Sequence, residues 1–138
     1  AQLRKLPLFV AGRRRNFYRL WQGMQPVADK FILPEPLAGS RPSWFGFMLT
    51  CRHGISRDSV VRYLEAKGIQ TRMLFAGNIV RQPCFDELRD GRAGYRIAGS
   101  LSNTDRIMQD TFWVGVYPGL TDAQIDYIVR MLKEAVKK

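Results

Sequence analysis

Three apolar runs of strand length constrain this chain more than any other feature: WFGFMLTC (44–51), IQTRMLF (69–75) and TFWVGVY (111–117). Each is short and rich in aromatic or branched residues, which suits a pleated, half-buried surface. In the second run Ile69, Thr71, Met73 and Phe75 alternate with Gln70, Arg72 and Leu74, so Arg72 faces away from Met73. Helical segments separate the runs. Pro7 suits a first helical turn, and Val10, Phe17, Leu20, Trp21 and Met24 then recur at helical spacing, which predicts a helix over about 7–24 that Gly23 and Pro26 end. Ser56 caps a helix over about 57–67 with Val60, Val61 and Leu64 on one face and Gly68 as its stop. Thr121 and Gln124 fit a capping box before a last helix with the stripe Ile125, Ile128, Val129, Leu132 and Val136. The proline-rich stretch 31–43 reads as a loop with a short edge strand. Residues 76–100 read as irregular with a short helix near 83–89, and Ser102 or Asn103 caps a helix to about Gln109. This order predicts an α+β fold, with a small, mainly antiparallel sheet and helices packed mainly on one face.

At 138 residues and 46% apolar composition the chain makes one packed domain. No run approaches the ~18 apolar residues of a membrane span, and the start lacks the pattern of a signal peptide. The first residue is not Met, which reads as a chain cut from something longer. Cys51 and Cys84 form no metal-ligand spacing and read as free thiols in a reducing cytoplasm. Net charge is +10, and sixteen of the twenty-two basic residues are Arg, whose planar fork suits phosphate and carboxylate. A basic chain points to anionic partners: nucleic acid, a membrane surface or a nucleotide-linked substrate. The basic face Arg13, Arg14, Arg15 and Arg19 of the first helix is either a polyanion patch or a solvated or paired helix face. A basic α+β nucleic-acid-binding module of ferredoxin-like type is the alternative on charge. Neither WFGFMLT nor TFWVGVY carries the leading basic–glycine pair of an RNA-binding sheet.

Two blocks, GIQTRMLFAGNIVRQPCF (68–85) and NTDRIMQDTFWVGVYPGLT (103–121), carry a family resemblance. Together they resemble the C-terminal part of the CDP-4-keto-6-deoxy-D-glucose-3-dehydrases of lipopolysaccharide biosynthesis, within the DegT/DnrJ/EryC1/StrS sugar aminotransferases. The resemblance implies the small C-terminal domain of the aspartate-aminotransferase (fold type I) class. Residues 1–138 would form that domain, with 1–24 the helical connection from a large cofactor-binding domain. It implies removal of the C3 hydroxyl of a CDP-4-keto-6-deoxyhexose on the way to O-antigen 3,6-dideoxyhexoses. The parent enzyme would use pyridoxamine 5′-phosphate and a 2Fe–2S cluster, receive electrons from a reductase, form a homodimer and lie in the cytoplasm. A histidine would replace the Schiff-base lysine. The cofactor pocket, that histidine and the cluster cysteines belong to the large domain, so the resemblance carries no catalytic residue onto this chain, and the piece alone is expected to be inactive and to bind no cofactor.

The candidate substrate-binding residues are Arg72, Asn78 and Arg81. Arg72 either reaches an oxyanion at the domain interface or pairs with a helix carboxylate. Asn78 stands where related aminotransferases carry a substrate-contacting histidine, and reads either as an amide toward the sugar or as a turn residue. Arg81 faces a nucleotide diphosphate on the functional reading. Trp44, Trp113 and Tyr117 read as core or domain-interface aromatics, and His53 as an exposed loop residue. Asp86, Glu87 and Asp90 lie amid too many arginines to act as an acid–base pair.

Overall fold

The computed structural model describes residues 2–89, 94 and 96–137. Among these, four strands form one antiparallel sheet: β1 (Phe31–Ile32), β2 (Gly46–Cys51), β3 (Thr71–Met73) and β4 (Thr111–Gly115), in the order β1-β2-β4-β3. Strand β4, the last in sequence, lies inside the sheet, with Phe47 opposite Val114 and Thr71 opposite Val114 from its other side. Alternation along the strands then decides the faces. Phe47, Leu49, Cys51, Phe112 and Val114 point one way and are buried, as is Phe31 of β1 opposite Cys51. Met48 and Trp113 point the other way.

Three helices cover the first face: α1 (Leu6–Met24), α2 (Arg57–Ala66) and the last helix, Asp122–Ala135. They contribute Leu20 and Met24, then Val60, Val61 and Leu64, then Ile125, Ile128, Val129, Met131 and Leu132 to one hydrophobic cluster. Burial of these apolar surfaces is the main term that favours the fold. The α1 helix and the last helix approach closely because position 23 is glycine: a Cβ there would stand 2.7 Å from Val129 Cγ2. Asn16, fully buried in α1, donates from Nδ2 to the Tyr117 carbonyl at 2.7 Å and ties the segment after β4 to that helix.

Two of the three capping signals hold. Ser56 Oγ accepts from the Ser59 amide, and the Thr121–Gln124 capping box is complete. The short helix near 83–89 is a 3-10 turn, Pro83–Phe85, running into α3 (Asp86–Arg89). Two expectations need correction. The helix before β4, α4 (Ser102–Asp110), has Leu101 at its N-cap and no side-chain cap; the Asp105 amide instead donates to the Leu101 carbonyl at 2.8 Å. Strand β3 stops at Met73, so Phe75 leaves the alternation expected for 69–75 and is 71% exposed. The last helix is α5 in chain order.

Both cysteines are free thiols; Cys51 lies on the core side of β2 and Cys84 is exposed. Burial pushes the Cys51 thiol up to about 11; the negative charge of Asp110 adds to the rise and Arg57 opposes it. The thiolate is the reactive form, so at pH 8 Cys51 is protonated as well as shielded. Iodoacetamide added to the native chain at pH 8 is expected to modify Cys84 and spare Cys51, as read by peptide mass mapping. Equal labelling of the two would contradict this account.

Candidate functional site: the open face of the sheet and its bordering loop

Among the described residues, no helix covers the middle row of the second face of the sheet, Met48–Trp113–Arg72, which the strand register sets side by side across β2, β4 and β3. The Trp113 indole lies against Gly46, where a Cβ would stand only 2.7 Å from Cε3. Any larger residue at 46 would lift the ring. Phe45 meets the indole edge-on at 5.3 Å between centroids, and Phe75 lies tilted at 6.5 Å. With Trp44 and Leu74 they line a shallow, mostly apolar concavity that Glu35 borders. Phe45 is 57% exposed, and Trp113 Nε1 is shielded from solvent with no hydrogen-bond partner among the described residues. These exposed rings form the candidate binding surface of the described residues.

Arg72 is exposed beside this patch, and its Nη1 donates to the Thr71 carbonyl at 2.8 Å. The carboxylate of Glu65 on α2 accepts from Thr71 Oγ1 at 2.6 Å. The register sets Arg72 beside Trp113 on this face, a position from which a guanidinium can reach an oxyanion.

Asn78 and Arg81 are placed differently. The chain turns after β3 through Gly77, whose φ of +62° belongs to the left-handed region and whose Cβ, if present, would lie 2.6 Å from Met108 Cγ. Asn78 is 2% exposed. Its Oδ1 caps the 3-10 turn Ile79–Arg81 by accepting from the Val80 amide, and its Nδ2 donates to Asp105 Oδ1 at 2.7 Å. Arg81 grips the same carboxylate with both ends of its fork, Nε to Oδ1 at 2.6 Å and Nη2 to Oδ2 at 2.7 Å. The hydrogen bond from Arg81, followed by that from Asn78, holds the Asp105 carboxyl below its ordinary value. Its contribution to stability is therefore complete above the usual carboxylate range and is lost only as pH falls through that lowered value. Two of the three candidates thus converge on a carboxylate that the sequence reading missed. Asp105 lies 24 residues from Arg81 and 27 from Asn78, and no local pattern links them.

The basic face of α1 is largely engaged within the chain. Arg19 bridges Asp122 at 2.7 Å and Asp126 at 2.8 Å on α5, and Arg15 approaches Asp122 at 3.5 Å. Arg14 donates to the carbonyls of Arg41 and Pro42 and holds the proline-rich segment against the helix. His53 is exposed, as expected of a loop residue, and Asp90 lies outside the described residues.

The profile of the DegT/DnrJ/EryC1/StrS aminotransferase family matches residues 1–133. The chain belongs to this family. It is 46% identical over 136 residues to the lipopolysaccharide biosynthesis protein RfbH of Salmonella typhimurium, which covers 97% of this chain and 30% of that protein. It is 45% identical over 140 residues to the dTDP-4-dehydro-2,6-dideoxy-D-glucose 3-dehydratase of Saccharopolyspora spinosa, covering 100% of this chain and 29% of that protein. The crystal structure of a GDP-4-keto-6-deoxymannose-3-dehydratase with a trapped PLP-glutamate geminal diamine superposes with a TM-score of 0.80 at 25% identity, over 95% of this chain and 33% of that one. The chain spans about 30% of the length of the curated relatives it matches. Its α+β fold, one small antiparallel sheet with helices, is that of a domain in the fold type I enzymes of the DegT/DnrJ/EryC1/StrS family. No helix among the described residues is long and apolar enough to cross a membrane.

Proposed function

We propose that this chain is the small C-terminal domain, residues 1–138, of a nucleotide-sugar 3-dehydratase, joined through the helix within 1–24 to a larger cofactor-binding part. The reaction is loss of the C3 hydroxyl from a CDP-linked 4-keto-6-deoxyhexose in 3,6-dideoxyhexose formation for lipopolysaccharide. The observation that carries this reading is the open aromatic face with Arg72 beside Trp113 in register, on a domain whose similarity to sugar dehydratases runs over its whole length. The choice of CDP rests on the resemblance of segments 68–85 and 103–121 to the CDP-sugar dehydrases; the relatives' own names include dTDP and GDP sugars.

The open face offers aromatic rings, a thioether, the carboxylate of Glu35 at its border and, next to Trp113 in register, the guanidinium of Arg72, with no amine or imidazole among them, and the described residues hold no group of three or more His, Cys, Asp or Glu able to bind a metal. These residues do not fit a pyridoxamine phosphate or a 2Fe–2S cluster. On this reading both belong to the larger part of the protein, together with the docking of an electron-donating reductase, in a cytoplasmic homodimer. This domain's share is to bind and orient the nucleotide-linked sugar. Arg72 contacts the substrate directly, whereas Asn78 and Arg81 act through the loop they hold.

The test uses the full-length protein, supplied with pyridoxamine phosphate, an iron–sulfur source and a reductant. It is offered CDP-, GDP- and dTDP-linked 4-keto-6-deoxyhexoses in parallel. The expected result is replacement of the C3 hydroxyl by hydrogen, the oxygen leaving as water while the reductant supplies two electrons and two protons, so that the sugar shows a net loss of one oxygen by mass spectrometry, fastest with the CDP form. Conversion of the 4-keto group to an amine with the C3 hydroxyl retained would instead assign an ordinary aminotransferase.

A further inference from the structure

The α4–β4 segment is a continuous unit: α4 ends at Asp110 and β4 begins at Thr111. Asp105 and Met108 stand three residues apart on α4 and so share a helix face. That face holds the loop after β3 at two points. Asp105 takes Asn78 and Arg81, while Met108 Sδ lies 3.3 Å from the Asn78 amide and its side chain occupies the space left by the missing Cβ of Gly77. Arg57 of α2 donates from Nη1 to the Met108 carbonyl at 2.6 Å and anchors the end of α4 in turn. Strand β4 then carries Trp113 onto the open face, and the clamped loop carries Phe75 to within 6.5 Å of it, three residues beyond Arg72. One rigid unit therefore sets both sides of the aromatic wall.

We propose that Asp105 is a positioning residue for substrate binding: through Asn78 and Arg81 it fixes the loop 75–82 so that Phe75 stands against Trp113 beside Arg72. This rests on the reading of the open face as the nucleotide-sugar wall. Asp105 does not touch the substrate, because its two oxygens are taken by Asn78 and Arg81. Losing it leaves Arg81 without its ion-pair partner and frees a loop that has lost its main polar tie to α4. The loop must then be ordered by the substrate at each binding event, and that cost weakens binding. The chemical step, performed elsewhere in the protein, is left alone.

The experiment compares wild type, Asp105→Ala and Asp105→Asn in the full-length protein by two readouts. One is steady-state turnover of the CDP-linked 4-keto-6-deoxyhexose; the other is amide hydrogen exchange over 76–82 and over 111–115. For Asp105→Ala, KM is expected to rise about tenfold, the loss of roughly one charge-assisted interaction, while kcat stays within about threefold. Exchange over 76–82 should accelerate while that over 111–115 does not. Asp105→Asn keeps an acceptor for Asn78 but lacks the charge for Arg81, and should fall between the two. Unchanged exchange over 76–82 would overturn the clamp, and faster exchange with unchanged KM would overturn its role in binding. A fall in kcat at constant KM would overturn it too. If wild type turns over none of the nucleotide sugars, the dehydratase reading fails by itself. Exchange then decides the clamp alone: faster exchange in Asp105→Ala keeps it, and equal exchange removes it.

Discussion

Arg72→Ala in the full-length protein is expected to lower kcat/KM for the CDP-linked keto sugar by about ten- to hundredfold while leaving the melting temperature close to wild type. Arg72 is exposed on the edge strand β3, and its contact inside the chain is to the neighbouring Thr71 carbonyl. Surface changes of this kind cost under ~0.5 kcal/mol of stability. A charged hydrogen bond to a bound oxyanion is worth about 1.5–3 kcal/mol, which converts to the stated loss of rate. Stability and steady-state kinetics measured on one preparation separate the two roles of the residue. A drop of several degrees in melting temperature with intact kinetics would make Arg72 structural and remove it from the site, although membership of the family would stand. Asn78 and Arg81 do not serve this comparison, because both are tied to Asp105 and their removal disturbs the loop itself.

Phe112→Ala should be the most destabilising single truncation of the sheet. Phe112 is fully buried in the inner strand β4, opposite Leu49 on one side and Met73 on the other, and its ring meets Phe31 edge-on at 6.4 Å. Neighbours on three strands surround the side chain, so the space it leaves cannot close by the shift of a single element. Phe→Ala at such sites costs about 3–5 kcal/mol. Small domains hold only ~5–15 kcal/mol in total. The midpoint of thermal unfolding of the 138-residue chain should fall by roughly 10 °C or more. A fall of only a few degrees would mean that the helices, and not the packing of β4, hold the core together.

The nature of each element was legible because local interactions decide it. The stripe of α5 and its capping box lie within a few residues of one another, and so do the Ser56 cap of α2 and the apolar run 44–51 that holds β2; these are legible in the sequence. The errors fell where a longer-range contact overruled the local pattern. Thr71 and Met73 pair with β4, but Gly77 and Asn78 are held by Met108 and Asp105, so the chain leaves the sheet before Phe75. Ser102 and Asn103 looked like caps, yet α4 starts at Ser102 after Leu101 and follows its connection into β4. The basic face of α1 gave no hint of its partners, since Asp122 and Asp126 lie more than a hundred residues away.

By itself the sequence determined that this chain makes an α+β domain of the DegT/DnrJ/EryC1/StrS family, and that Arg72 points away from the core face of its strand. Hydrophobic period, caps and motif blocks are properties of neighbouring residues and need no partner to be read. Only the tertiary structure decided which face of the sheet stays open, that Trp113 and Phe75 meet there, and that Asn78 and Arg81 are spent on Asp105. Those outcomes depend on β4 entering between β2 and β3 and on α4 arriving beside the loop after β3. A buried amide or a guanidinium takes the acceptor that folding brings to it, and no spacing along the chain encodes which one that will be.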